Sequence, residues 1–126
     1  MEEAKSNDAI FYFGPSIKIY KYAVNKRAWS SIRIEKKSSY RGNVKHQCCT
    51  AIPDRHKIVM TGGVSVATCH PIGNVFEFDV KTLNKGVARG LRNMGIKRYA
   101  HAAVYLRGKV IVFGGFGHKD IPEEPP

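Results

Sequence analysis

Acidic residues are nearly missing from the body of this chain. Of ten Asp and Glu among 126 residues, Glu2, Glu3, Asp8, Asp120, Glu123 and Glu124 lie at the ends, leaving Glu35, Asp54, Glu77 and Asp79 between them. So few carboxylates offer little material for a paired general acid and base. Against them stand 21 Lys and Arg, for a formal net charge of +11, and the body is more basic than that total. A field of this sign attracts acidic protein segments, nucleic acid or an anionic membrane surface. The cations are spread over the whole chain and no run matches an RNA-binding signature. Acidic protein segments are therefore the expected partner, with nucleic acid on the basic surface as the alternative and no membrane partner.

Cysteine is scarce too. Cys48, Cys49 and Cys69 are odd in number, two are adjacent, and no CxxC occurs, which argues against a disulfide framework. Cys69-His70 is the nearest approach to a metal pair, but adjacent residues on a strand face opposite ways and no second pair has structural-zinc spacing. No metal or other cofactor is expected. No apolar run approaches the length of a membrane span, and Met1-Glu2-Glu3-Ala4-Lys5 is acidic where a secretory signal would begin its apolar core. A reducing, cytoplasmic setting is expected. No Ser sits in a nucleophile elbow, and Gly114-Gly115-Phe116-Gly117-His118-Lys119 lacks the spacing of a phosphate-binding loop. The chain is thus expected to have no catalytic residues.

A sustained helical stripe is the last absence. What the chain has instead is short runs rich in Val, Ile, Phe and Tyr, bounded by Gly, Asn, Pro or Lys, which read as strands over 10–13, 17–24, 29–34, 46–52, 57–61, 74–78, 86–91, 100–106 and 109–113. In Tyr20-Lys21-Tyr22 and Phe76-Glu77-Phe78 apolar and charged residues alternate, so both aromatics of each pair share a face. Pro53-Asp54-Arg55-His56 and the shorter Arg107-Gly108 read as hairpin connections. An all-β, antiparallel fold over residues 10–117 is expected, with 1–9 and the proline-rich 118–126 disordered.

The strands repeat. Lys57-Ile58-Val59-Met60-Thr61-Gly62-Gly63 returns as Lys109-Val110-Ile111-Val112-Phe113-Gly114-Gly115, 52 residues later. The same shift lays 45–52 over 97–104, and a shift of 56 lays Tyr20-Lys21-Tyr22 over Phe76-Glu77-Phe78. A fixed period of this size is the mark of a repeat architecture in which each unit buries its faces against neighbours. Two glycines at a strand end allow positive φ and a close backbone approach. Tyr20, Tyr22, Phe76, Phe78 and Trp29 are expected to pack within and between units, and Asp79 to bond the backbone of its own turn.

On these residues the chain resembles the kelch-repeat family. Arg98-Tyr99-Ala100-His101 with Gly114-Gly115 resembles the first half of the family's unit, Gly62-Gly63 with Phe78-Asp79 its middle, and Tyr22 with Trp29 keeps the aromatic-to-tryptophan spacing. Departures are Gly14-Pro15 for a diglycine, Ala23 for the Asp, Lys85 at the second Trp position, and His46 and Cys49 for the Arg and His. The resemblance implies an incomplete β-propeller of about two four-stranded blades plus partial strands, acting as a non-catalytic protein-interaction scaffold. Some kelch-superfamily members are enzymes, but none of their specific motifs is present. By the resemblance, partners would meet Arg98, His46 and the 64–73 loop with Ser65 and His70, where a guanidinium fork suits carboxylates. A propeller typically needs about four to eight blades. Closure would call for further repeats of a longer protein, in which the module could present substrates, or for oligomerisation. A truncated fragment without function of its own is the remaining reading.

Overall fold

The computed structural model describes residues 8–117. In chain order the strands are β1 (Ala9–Phe13), β2 (Lys18–Ala23), β3 (Ala28–Arg33), β4 (Val44–Lys45), β5 (Cys48–Ile52) and β6 (Lys57–Thr61). There follow β7 (Val64–Ser65), β8 (Val75–Asp79), β9 (Arg89–Leu91), β10 (Ala102–Leu106) and β11 (Lys109–Phe113). The first unit is the three-stranded sheet β1-β2-β3, the second the four-stranded sheet β5-β6-β8-β9, and the third the hairpin β10-β11, while β4 and β7 form a separate ribbon. Every pairing is antiparallel. The fold is all-β, as the alternating runs imply, and each expected strand is present. Among the described residues the strands are distributed as one four-stranded sheet between a three-stranded and a two-stranded one. Ala9 already pairs with Ala23, which places it inside the first sheet and not in a disordered end. Residues 1–7 and 118–126, expected to be disordered, lie outside the described residues.

Hairpin length corrects the overlay of the units. Arg107 and Gly108 both have positive φ (51° and 78°), the two-residue turn whose twist matches that of the flanking strands. The second unit connects β5 to β6 through a 3-10 turn, Pro53–Arg55, closed by left-handed His56, which is two residues longer. Upstream of the hairpin the true shift is therefore 54, so Cys48–Ile52 lies over Ala102–Leu106. His46, at φ 59°, then matches Ala100, at φ 52°, and not Arg98. Gln47, not Cys49, is the counterpart of His101. The 3-10 turn Val80–Lys85 makes a similar correction between β8 and β9. Trp29 stands opposite Tyr22, and Glu77 opposite Arg89, so the ladder runs Trp29 onto Ala88. Lys85 is exposed at the end of this turn and occupies no aromatic slot.

The core lies between the first and second units. Ile19, Ile34, Tyr40, Val44, Met60, Phe78, Leu83 and Ala88 form one buried cluster, with Phe11, Phe13, Ile32, Ile72 and Phe76 packed against it. Tyr40 is its hub: its ring meets Phe76 at 5.5 Å and Phe78 edge-on at 6.0 Å, and Phe13 stacks on Phe78 at 5.7 Å. The phenol donates to the Gly14 carbonyl (3.4 Å) and accepts from Gln47 Nε2 (3.3 Å), so burial leaves the hydroxyl satisfied. Burial and the nearby Cys49 push its pKa up to about 12, which keeps it neutral. The chain then runs along the outer edge of the second sheet, where Ser39 N–H donates to Ala88 O and Ala88 N–H to Ser38 Oγ. That covering blunts an otherwise open strand edge. Truncating an enclosed aromatic costs about 3–5 kcal/mol, so Tyr40→Ala should lower the urea-unfolding free energy by that amount, whereas Lys85→Ala should change it by less than about 0.5 kcal/mol.

Candidate functional site

Three equivalent strand ends, Phe13, Thr61 and Phe113, each run into a glycine turn. At Gly62, φ is +61° and a Cβ would strike the Arg98 carbonyl oxygen and come within 2.8 Å of His101 Cε1. Gly115, at φ +78°, is similarly close to the entry of its own unit, with Tyr99 O at 2.5 Å and His101 Cβ at 2.7 Å from a built Cβ. Gly63 N–H donates to Arg98 O at 2.9 Å. A Cβ at Gly114, by contrast, would meet open space. Gly62 therefore presses the second unit's strand end against the backbone that enters the third, and Gly115 closes against the entry of its own unit.

Two side chains lock these junctions. Gln47 Nε2 donates to Phe13 O at 3.4 Å, and His101 Nε2 lies 2.8 Å from Thr61 Oγ1. Each reaches from the entry of one unit to the last strand residue of the unit before it.

The four residues expected to meet a partner are gathered at this end of the sheets. Lys45 pairs with Val64 and Val44 with Ser65, which sets His46 beside the base of the 64–73 loop. Within that loop Ser65 N–H donates to His70 O at 3.0 Å, and Val66 N–H to Asn43 O at 2.9 Å. Arg98 is half-buried; its Nη1 donates to Gly114 O at 3.3 Å while Nε is enclosed without a protein partner. The guanidinium is thus partly committed to the backbone. The Tyr99 ring lies 6.4 Å from His46 and 5.6 Å from Phe116, and Phe116 is half exposed. Tyr99 and Phe116 were not singled out from sequence; the signal was the aromatic inside Arg98-Tyr99-Ala100-His101 and the one directly after Gly115.

A second feature was hidden in the scattered charge. Beside the junction of the first two units a cleft of about 480 Å³ is lined by Ile17, Arg33, Ile34, Glu35, Lys36, Lys37 and Arg41. Four cations face one carboxylate over two apolar side chains. Arg41 is held in place by its Nη1 bond to Glu35 O (2.8 Å), and Lys36 and Lys37 are exposed. The local run of cations from Arg33 to Arg41 was the available sequence signal.

Of the remaining signature residues, Phe78 is fully buried, and Trp29, largely exposed, meets Tyr22 at 5.2 Å. Asp79 Oδ1 accepts from Lys81 N–H at 2.9 Å, the turn-closing bond expected of it, and Oδ2 pairs with Lys57 Nζ at 3.3 Å. The turn N–H foremost, then Lys57, holds this carboxyl below its usual range. Among the described residues no group of three or more His, Cys, Asp or Glu could hold a metal ion, and no helix is long and apolar enough to cross a membrane. No family model matches the chain, and no curated protein matches it.

Burial, followed by the positive charge of Arg98, pulls the His101 pKa below its ordinary 6.5. Protonation would add charge beside a cation in a half-buried junction. Below about pH 6.5 the unfolded imidazole holds a proton that the folded one refuses, so the unfolded chain binds more protons and stability falls as pH drops towards the folded value. The melting temperature should therefore decline between about pH 7.5 and pH 5. His101→Gln, the residue type that serves the preceding junction, should flatten that decline. Gly62→Ala places a Cβ against the Arg98 carbonyl in left-handed backbone and should cost roughly 2 kcal/mol or more by chemical denaturation.

Proposed function

We propose that this chain is a kelch-type, non-catalytic interaction module that binds acidic protein segments across the glycine-turn ends of its sheets. The observation that carries the reading is the cationic cleft, with Ile17 and Ile34 as its apolar floor and Arg33, Lys36, Lys37 and Arg41 around it. An extended segment with alternating acidic and apolar side chains complements such a surface: carboxylates meet the cations, and apolar groups cover the isoleucines. Recognition would then continue over the neighbouring connections. Residues 62–74 and 92–101 contain no acid, and His46, Tyr99 and Phe116 give an aromatic surface for the same ligand.

Rigid sheets holding variable connections are well suited to this work, because the loops lose little entropy on binding. Charge of one sign raises the encounter rate and selects acidic partners. Order and content of the units support the kelch reading: the second unit runs strand, hairpin, strand ending in glycine, loop and aromatic strand, the first unit repeats the later part of that order and the third its earlier part. Cys48, Cys49 and Cys69, all unbonded, suit a cytoplasmic protein. In a longer protein the same surface would present acidic segments as substrates to another domain.

Fluorescence anisotropy with a labelled peptide of alternating Glu and Leu tests this. The peptide should bind, its Gln-for-Glu counterpart should not, and the Lys36→Ala/Lys37→Ala chain should bind about tenfold more weakly. Tighter binding of a duplex oligonucleotide, with a steep salt dependence, would instead assign the cleft to nucleic acid.

A further inference from the structure

The two outer sheets each leave one apolar face in solvent, and these faces are the two halves of one kind of interface. On the first unit Ile10, Tyr12, Tyr20 and Trp29 are exposed, Trp29 to 64%. Ile10 stands opposite Tyr22, Tyr12 opposite Tyr20, and Tyr22 opposite Trp29, so all five side chains share a face. Their counterparts on the second unit are Ile58, Met60, Phe76, Phe78 and Ala88. There the same face is closed: Met60, Phe78 and Ala88 are buried in the cluster that Ile19 and Ile34 enter from the first unit. The first unit thus exposes the face that the second covers with its predecessor.

The third unit exposes the other half. Val104 stands opposite Ile111 and Ala102 opposite Phe113, and with Leu106 they form one exposed face. The counterparts on the second unit are Thr50, Ile52, Val59 and Thr61, all buried. Thr61 is met there by His101, and β5 runs beside β10. The chain therefore forms this unit-to-unit contact twice internally and leaves a matching pair of faces at its two sides. Five clustered apolar or aromatic side chains, three of them tyrosines, exceed the scatter normal on a soluble surface.

We infer that a second copy of this chain occupies these faces, the first sheet of one copy stacking on the third sheet of the next. The contact is heterologous, head to tail, and continues the internal stacking without a new type of interface. It requires only the equivalence of the units and is independent of the ligand proposed above.

Sedimentation velocity on the full chain, run over roughly a hundredfold concentration series, should show mass rising above the monomer. Trp29 is the only tryptophan, so its emission should shift to shorter wavelength over the same series. Trp29→Glu spoils only the first-sheet face and Ile111→Glu only the third-sheet face, and both replace exposed side chains, which keeps folding intact by circular dichroism. Each variant alone should be monomeric. Mixed in equal amounts they should form a dimer and stop there, with the Trp29 emission of the Ile111→Glu chain shifting as the tryptophan-free partner is added. A wild-type chain that stays monomeric with constant emission, a single variant that still associates, or a mixture that stays monomeric would each overturn the inference.

Discussion

The constraint on which the rest of this structure depends is the contact between a glycine turn on one sheet and the backbone that enters the next. A β-sheet with apolar side chains on both faces has to be covered on both, and stacking like units face to face is a short-range solution. For the entry segment to reach its own sheet it must pass over the end of the preceding one. At Gly62 the Arg98 carbonyl leaves no room for a Cβ, and Gly42, on the segment entering the second unit, lies equally tight against the Ser16 carbonyl of the first. The left-handed turns set the spacing of the sheets, and that spacing decides which loops meet on the surface.

The two junctions solve the same problem with different chemistry. The first is rich in buried aromatics, and its polar link is the chain Gln47, Tyr40 and the Gly14 carbonyl. Each enclosed apolar side chain is worth about 1.5–3 kcal/mol, so this junction dominates stability. The second has less apolar cover and leans on His101 with Thr61, while His101 Nδ1 and Arg98 Nε are enclosed without protein partners. Buried polar atoms left unmet cost free energy. Opening of the third unit is therefore expected to precede opening of the core between the first two, in keeping with the unequal stability of local segments.

Strand positions were legible because alternation and bounding Gly, Pro and Asn report directly on a pleated, half-buried surface. The repeat was legible for the same reason at β6 and β11, where Lys57 and Lys109 open strands of equal length. Register upstream of the hairpins was not legible. Pro53–Arg55 against Arg107-Gly108 is a difference of two residues, and a constant shift carried through it sets His46 on Arg98 instead of Ala100. Lys85 was misplaced likewise, since nothing in Val80–Lys85 announces a 3-10 turn rather than a tight one. Of the candidate site, Arg98, His46, Ser65 and His70 could be gathered at one end of the sheets from topology alone. The cleft of Lys36, Lys37 and Arg41 could not, because it depends on the chain folding back along the edge of the second sheet.

Charge connects the two surfaces. The acids of the second sheet are spent internally, Glu77 on Lys57 (3.6 Å) and Arg89 (3.0 Å), and Asp79 on Lys57 (3.3 Å) and its own turn. Most of the remaining excess of lysine and arginine is carried by the connections, where it opposes the approach of another copy and favours an acidic segment. An acidic ligand in the cleft would neutralise part of that repulsion without touching Trp29 or Ile111, which lie on the stacking faces. Binding and head-to-tail stacking would then support one another through the field of the whole chain, an electrostatic coupling that salt would screen at separations beyond the Debye length.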